Sequence, residues 1–214
     1  MVVRTKKELE MLLNQTPPFP RPKQFLEQYL CDSRIASEML WNAYISGDIR
    51  DKIVADLGCG TGMLAYGALI LGSKEVICID IDCEAILTAK NFLSSKNLFN
   101  ASFICADVNV LSLRAVDTIV MNPPFGVYRQ KSDMQFLESA LRLRPRAIYT
   151  IHKYSQKLFN IIKSKLDMRE DDFKMLPLLL DNMIIHASYG HHRKRVHRFR
   201  IIVLKIKREV EAHG

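Results

Sequence analysis

Residues 53–62 read IVADLGCGTG, and this stretch decides the fold of the chain. Its first half is a short apolar run, which is typical of a buried strand. Its second half alternates glycine with small residues, so the backbone can bend tightly and a ligand can approach it closely. A glycine-rich turn between a strand and a helix often binds a nucleotide-like group. The stretch therefore predicts the first strand and the first binding loop of an α/β sheet.

Apolar runs alternate with amphipathic segments downstream of that loop. Helices are predicted over residues 62–71, 84–95 and 134–143, and strands over 75–79, 102–105, 118–121 and 147–151. This alternation implies a parallel sheet with helices on both faces. Near the end of the chain, residues 183–186 and 200–204 are expected to form an antiparallel pair that closes the sheet.

The N-terminal part differs in composition from this alternating region. Residues 6–13 are predicted to form a short amphipathic helix, and residues 16–22 contain four prolines, which impose an extended arm. A second helix is expected over residues 34–44, after Asp32 and Ser33 as a cap. We expect one domain over residues 1–214, with the helix and arm of about residues 1–30 packed on or over the binding loop.

Charge and cysteine content limit the functional classes. The net charge of +8 and the pI of about 9.3 favour a polyanionic partner such as nucleic acid. The five cysteines form no C-x-x-C pair, so no metal site is predicted, and reduced thiols and a cytoplasmic location are expected. No apolar stretch approaches the roughly 20 residues that span a bilayer, so no membrane partner is expected.

Acidic residues lie at or near the ends of predicted strands, at the edge of the sheet where the glycine loop lies. Asp80 closes the second strand, where an acid typically accepts hydrogen bonds from ribose hydroxyls, and Asp107 follows the third, where it could accept from an adenine amino group. Asp80 could instead cap the next helix, and Asp82 is expected to be solvated. A dinucleotide site would need Gly or Ala at Met63, and Asp56 repels a pyrophosphate, which disfavours an NAD-dependent oxidoreductase. The pocket suits S-adenosylmethionine, an adenosyl group with an amino-acid tail and no phosphate.

Residues 122–125 read NPPF and follow the strand predicted over residues 118–121. Pro123 and Pro124 have no N–H, so the strand must end there, at the sheet edge where ligands of open α/β sheets bind. The turn suits a flat amine such as adenine. The side-chain oxygen of Asn122 and the carbonyl of Pro123 would each accept one amine hydrogen, and Phe125 would stack on the base.

Three motifs together resemble a known family: LEQY at residues 26–29, ADLGCG at 55–60 and MNPPFG at 121–126. They resemble the ribosomal-RNA adenosine N6-methyltransferases of archaea and eukaryotes, over nearly the whole chain. The resemblance implies a Rossmann-like seven-stranded sheet that is mostly parallel, with an antiparallel C-terminal strand and helices on both faces. It also implies methyl transfer from S-adenosylmethionine to small-subunit ribosomal RNA.

The resemblance also implies a set of cofactor residues. Gln28 would close over the cofactor, Asp80 would bind its ribose, and Cys31 stands where the family usually has threonine. The implied set is Gln28, Cys31, Asp56, Gly58, Gly60, Thr61, Met63, Asp80, Ile81, Asp107, Val108 and Asn122. In eukaryotes the family works with a small zinc-binding activator protein, which the edge strand over residues 102–105 could bind.

Two basic segments are predicted to contact RNA. The predicted contacts are Tyr128, Arg129 and Lys131 beside the NPPF turn, and His192, Arg193, Lys194 and Arg195 in the densest basic run. The NPPF turn is shared with guanine N2 and protein-glutamine N5 methyltransferases, so these remain alternatives. A non-catalytic module that binds cofactor and RNA is the alternative of another class, and intact NPPF residues argue against it.

Overall fold

A computed structural model describes residues 3–113, 115–126, 132–167, 173–186 and 196–209. Helices and strands alternate along most of these residues. The helices are α1 (Lys6–Leu13), α2 (Ser33–Ile45), α3 (Met63–Ile70), α4 (Cys83–Ser95), α5 (Ser132–Arg142) and α6 (Gln156–Asp167), with short 3₁₀ turns at Gln24–Leu26 and Val108–Val110. The strands are β1 (Ile53–Leu57), β2 (Glu75–Asp80), β3 (Ala101–Cys105), β4 (Thr118–Met121), β5 (Ala147–Lys153), β6 (Phe173–His186) and β7 (Val196–Arg208).

The seven strands form one sheet in the order β3-β2-β1-β4-β5-β7-β6. Strands β1 to β5 pair in parallel, whereas β7 is antiparallel to both β5 and β6. The predicted fold class is confirmed, including the antiparallel strand near the C-terminus. The carboxyl ends of β1, β2 and β4 therefore meet at one edge, where the glycine loop and the NPPF turn were expected to lie.

Helices cover both faces of the sheet because both faces carry apolar side chains. One core contains Leu9 of α1, Leu40 of α2 and Leu64 of α3, packed against Val54 of β1. The opposite core contains side chains of α5 and α6, such as Leu137. This arrangement fixes the strand ends as a rigid platform. None of the helices in the described ranges has the length and apolar character needed to cross a bilayer.

The C-terminal strands are much longer than the sequence pattern predicts, and α6 was not predicted. Strand β6 begins at Phe173, and Pro177 lies inside it. A proline inside an apolar run argues against a strand, because it cannot donate to the ladder. The chain accommodates Pro177 because β6 is an edge strand and its register with β7 shifts between Pro177 and Leu179.

The expectation that all five cysteines are reduced is wrong. Cys83 and Cys105 form a disulfide, while Cys31, Cys59 and Cys78 are free and buried. Cys105 of β3 pairs with Asp80 of β2 in the sheet. Asp80 comes three residues before Cys83, the first residue of α4, so the two cysteines lie close together. The bond therefore joins the first residue of α4 to the last residue of β3.

Candidate active site

A cavity opens at the carboxyl ends of β1, β2 and β4, with about 1110 Å³ of empty space including its mouth. All of the residues predicted to hold the cofactor line it, together with Pro124. They come from five separate segments, which the parallel strands bring to one edge. Positions missed by sequence reasoning also line the cavity: Phe19, Phe25, Leu26, Glu27, Tyr29, Leu30, Cys59, Leu64, Asn109, Ser132, Gln135 and Phe136.

The glycine loop forms the floor of the cavity and requires glycine at specific positions. Gly60 has a φ of +54°, in the left-handed region that side chains rarely adopt. A Cβ added at Gly60 would stand 2.7 Å from the ring of Phe19. Gly60 therefore permits both the turn and the close approach of the N-terminal arm.

Asp80 links this loop to the turn after β2. Its carboxylate accepts hydrogen bonds from the backbone N–H of Gly60 at 2.8 Å and of Asp82 at 2.9 Å. Burial raises the pKa of Asp80, although these hydrogen bonds act in the opposite direction. Asp80 thus holds two loops in place while its carboxylate lines the cavity.

Asp56 is a fully buried carboxyl group at the end of β1. Its Oδ2 accepts a hydrogen bond from the backbone N–H of Ala65 at 2.9 Å, whereas Oδ1 is buried with no hydrogen-bond partner. Burial raises the pKa of Asp56 to about 8. Because Asp56 lines the cavity, the unmet oxygen fits a ligand with a positively charged hydrogen-bond donor.

Asp82 contradicts the expectation that it is solvated, because its exposed fraction is only 5%. It caps α4 by accepting from the backbone N–H of Glu84, and it also accepts from Gln28 Nε2 at 2.7 Å. Lys23 Nζ lies 2.5 Å from its carboxylate. Burial acts to raise the pKa of Asp82, but the hydrogen bonds from Gln28 and Lys23 hold the pKa below its usual value.

These contacts fix the N-terminal arm, residues 16–28, across the cavity. The hydroxyl of Thr61 donates to the carbonyl of Pro17 at 2.7 Å, and Phe19 lies on the glycine loop. The backbone N–H of Lys23 donates to Gln28 Oε1 at 2.7 Å. Both ends of the Gln28 amide are thus used to hold the arm, and the arm forms one wall of the cavity.

The NPPF turn lies on the other side of the cavity. Asn122 lines the cavity, and its Oδ1 is buried with no hydrogen-bond partner. Pro124 also lines it, but Pro123 and Phe125 are not among the lining residues. Phe125 instead packs between Tyr29, at 5.6 Å between ring centroids, and Phe199, at 5.7 Å.

The other predicted sites have different outcomes. Tyr128, Arg129, Lys131, His192, Arg193, Lys194 and Arg195 lie outside the described residues. Within the ranges that are described, no group of three or more His, Cys, Asp or Glu side chains could hold a metal ion. Burial raises the pKa of the free thiols of Cys31 and Cys59, which makes them poor nucleophiles.

Comparisons with known proteins agree with this geometry. Residues 33–151 match the family described as the methyltransferase small domain. The chain is 36% identical to an rRNA N6-adenosine methyltransferase of Danio rerio, over 88% of this chain and 92% of that protein. It is 35% identical to one of Drosophila melanogaster, over 88% and 90%. A crystal structure of a candidate RNA methyltransferase from Pyrococcus horikoshii has a TM-score of 0.87 and 36% identity, covering 98% of this chain and 100% of that one.

Proposed function

The chain belongs to the small-domain methyltransferase family, in the group that contains the rRNA N6-adenosine methyltransferases of animals, and we propose that it methylates N6 of an adenosine in ribosomal RNA. The single observation that carries this assignment beyond the family is the buried, unmet Oδ1 of Asn122 at the cavity wall. A buried acceptor without a partner at a cavity wall indicates that a donor of the bound ligand completes it, and Asn122 is the residue of this kind in the NPPF turn.

We propose S-adenosylmethionine as the methyl donor; its positively charged sulfur makes the methyl group electrophilic. The cavity residues fit its chemical groups. Asp56 offers an unmet oxygen to the amino group of the methionine part. Asp80 would accept from ribose hydroxyls, and Asp107 and Val108 would contact the adenine edge, since all three residues line the cavity. Gln28 would act as a positioning residue, because it donates to Asp82 and so holds the N-terminal arm against the cavity.

Asn122 would align the amine of the target base. The lone pair of adenine N6 is delocalised into the ring, so the amine is a weak nucleophile. Acceptance of its hydrogens by Asn122 Oδ1 and by the Pro123 carbonyl would draw electron density to the nitrogen and orient its lone pair. The methylated amine then releases its proton to solvent, so no strong general base is needed. Positioning supplies most of the rate in this proposal.

The target base must be unpaired or leave its stack to reach the cavity. A net charge of +8 supports binding of an RNA substrate.

We also propose that a small zinc-binding activator protein pairs with β3, which lies at one edge of the sheet. Phe99, just before β3, is 72% exposed and would add apolar contact. Co-purification that survives Phe99→Ala unchanged would exclude this contact.

One experiment tests the proposed function. The protein is incubated with isotope-labelled S-adenosylmethionine and ribosomal subunits that lack the modification, and the nucleosides are then identified by mass spectrometry. We expect label in N6-methyladenosine of the small-subunit RNA. Label in N2-methylguanosine or in protein glutamine would assign the chain to one of the alternative activities that share the NPPF turn. No label in any fraction would favour the non-catalytic module.

A further inference from the structure

The β6–β7 hairpin extends past the end of the neighbouring strand. Strand β5 ends at Lys153, which pairs with Ile201 of β7. Pairing of β6 with β7 continues for five more residue pairs, from Asn182 with Arg200 to His186 with Val196. At about 3.3 Å per residue this overhang, residues 182–186 and 196–200, projects by roughly 16 Å.

The overhang stands at the edge of the sheet that carries the NPPF turn. Met121, the last residue of β4, pairs with Thr150, three positions before β5 ends at Lys153. The turn at residues 122–125 is therefore level with the last residues of β5. Beyond that level the hairpin continues without β5 beside it, at the same edge of the sheet as the NPPF turn.

The base of the overhang is fixed to the body of the protein. Arg34 of α2 forms an ion pair with Asp181, and its Nη2 donates to the carbonyl of Asn182 at 3.2 Å. The backbone N–H of Tyr154 donates to the carbonyl of Arg200 at 2.7 Å. These contacts connect the overhang to two separate elements, so it projects in a defined direction.

The overhang contacts the NPPF turn through one aromatic ring. Phe199 packs against Phe125 with ring centroids 5.7 Å apart and planes at 60°, an edge-to-face arrangement. Tyr29, from the other side of the cavity, packs against Phe125 at 5.6 Å. Phe125 is thus held between two rings from distant parts of the chain, and its orientation depends on both.

Cationic side chains lie on and beside the overhang, and because side chains alternate along a strand, Arg198 and Arg200 lie on the opposite face of β7 from Phe199. Lys153, Arg198 and Arg200 are exposed. The Lys153 ammonium stands 5.0 Å above the Phe199 ring, and the Arg200 guanidinium lies 5.1 Å from the ring of Tyr154. Cations on aromatic faces, at the mouth of a site, match the way proteins bind single-stranded nucleic acid.

We infer that the overhang is an RNA-docking arm with two functions, an inference that rests on the proposed function. Phe199 is a positioning residue that sets the ring of Phe125 for the target base. Lys153, Arg198 and Arg200 bind phosphates of the nucleotides that flank this base. Single-stranded RNA fits better than an acidic peptide, because aromatic rings alternate with the cations and can stack on bases.

The charge contribution is tested with paired variants of the full chain. Arg198→Gln with Arg200→Gln removes two cations from the overhang. Lys174→Gln with Lys207→Gln removes two exposed cations from the opposite end of the same hairpin. Binding of a short, labelled single-stranded RNA is measured by fluorescence anisotropy at several salt concentrations. For the overhang variant alone, the slope of log affinity against log salt should fall by about 1.4, because two phosphate contacts are lost.

The positioning role is tested with Phe199→Leu, which keeps an apolar side chain but removes the ring, and Phe199→Tyr, which keeps the ring. Phe199→Leu should lower the single-turnover methylation rate about fivefold, the lower end of what loss of base–aromatic stacking costs. Thermal stability, RNA affinity and cofactor affinity should be unchanged, and Phe199→Tyr should restore the rate. A purely structural role would lower stability instead.

Two results would overturn the inference. Equal salt slopes for the two charge-pair variants would mean that the overhang binds no phosphates. A normal single-turnover rate for Phe199→Leu would remove the positioning role. Both outcomes differ from failure of the proposed function, in which the wild-type protein itself produces no N6-methyladenosine.

Discussion

The two sides of the cavity are built in different ways. On the side of β1 to β3, buried carboxylates and the N-terminal arm are connected by short hydrogen bonds, as at Asp80 and Asp82. On the side of β4, β5 and β7, Phe125 is held by ring contacts, and exposed cations lie on the neighbouring rings of Phe199 and Tyr154. A small ligand of constant shape can be matched atom by atom. A long polymer of variable sequence must be held through features that every nucleotide shares, which are its bases' flat faces and its phosphates.

The largest effect is expected from Asn122→Ala, which should lower the methylation rate without changing cofactor binding on the other side of the cavity. Loss of the amine acceptor should lower the methylation rate by about 10²–10³-fold, as for removal of one aligned hydrogen-bonding group in other active sites. Cofactor affinity, measured by calorimetry, should stay within a few-fold of the wild type. Asn109→Ala is the matched control, because Asn109 lines the same cavity on the cofactor side. Near-normal turnover of Asn122→Ala would refute the alignment role.

The next effect concerns the cofactor side alone. Asp80→Ala removes an acceptor for the ribose and the link between Gly60 and Asp82. Hydrogen bonds to a charged group contribute about 1.5–3 kcal/mol, so cofactor affinity should fall roughly 10- to 150-fold. RNA affinity should not change, since Asp80 lies away from the overhang. An equal loss of RNA and cofactor affinity would show that the two sides are not separable.

A separate effect, on stability and not on activity, follows from the protonation of Asp56. Its pKa is raised to about 8 by burial, well above the value near 3.9 in an unfolded chain. Between these two pKa values the folded state therefore binds more protons than the unfolded state. The contribution of Asp56 to the free energy of unfolding is complete only below about pH 4 and is lost as the pH rises to about 8. From about pH 4 to pH 8 the free energy of unfolding should fall by up to about 1.4 kcal/mol per pH unit.

Asp56→Asn cannot titrate and provides the control for that slope. Urea unfolding of both proteins across the pH range isolates the contribution of this carboxyl group. Saturating S-adenosylmethionine should flatten the wild-type slope, because a cationic amino group beside Asp56 favours the ionised form in the complex. Identical slopes in the two free proteins would mean that Asp56 is already ionised near neutral pH.

The two sides also differ in how far the sequence predicts them. Asp56, Asp80 and Asn122 each lie at the carboxyl end of a strand or directly after it, so strand prediction alone places them at one edge of a parallel sheet. The contact of Phe125 with Tyr29 and Phe199 joins three segments far apart in the chain, and no local pattern encodes it. The antiparallel pairing of β6 with β7 was predicted, but the length of β6 was missed because Pro177 interrupts its strand signal. The disulfide was missed because it depends on the register of β2 and β3.

The smallest expected effect tests whether the arm belongs to the cofactor side. In Asp82→Asn, one carbonyl oxygen must serve Gln28 Nε2, and the ion pair with Lys23 is lost. Cofactor should dissociate about three- to tenfold faster, in line with the roughly 0.5–1.5 kcal/mol that one ordinary hydrogen bond contributes. Trypsin should cleave after Lys23 faster, and saturating cofactor should slow this cleavage.

Glu84→Gln is the matched control, because it breaks the ion pair with Arg21, whose side chain is mostly exposed. Exposed ion pairs contribute little, so this variant should behave like the wild type. If both variants released cofactor at the wild-type rate, Asp82 would only cap α4, and the arm would be a passive cover. If Asp82→Asn alone accelerates release, cofactor binding includes closure of the arm by Asp82, which also donates its backbone N–H to Asp80 at 2.9 Å. The cofactor side would then combine a glycine loop that Asp80 holds in place with an N-terminal arm that Asp82 holds closed, whereas the base side stays open to RNA.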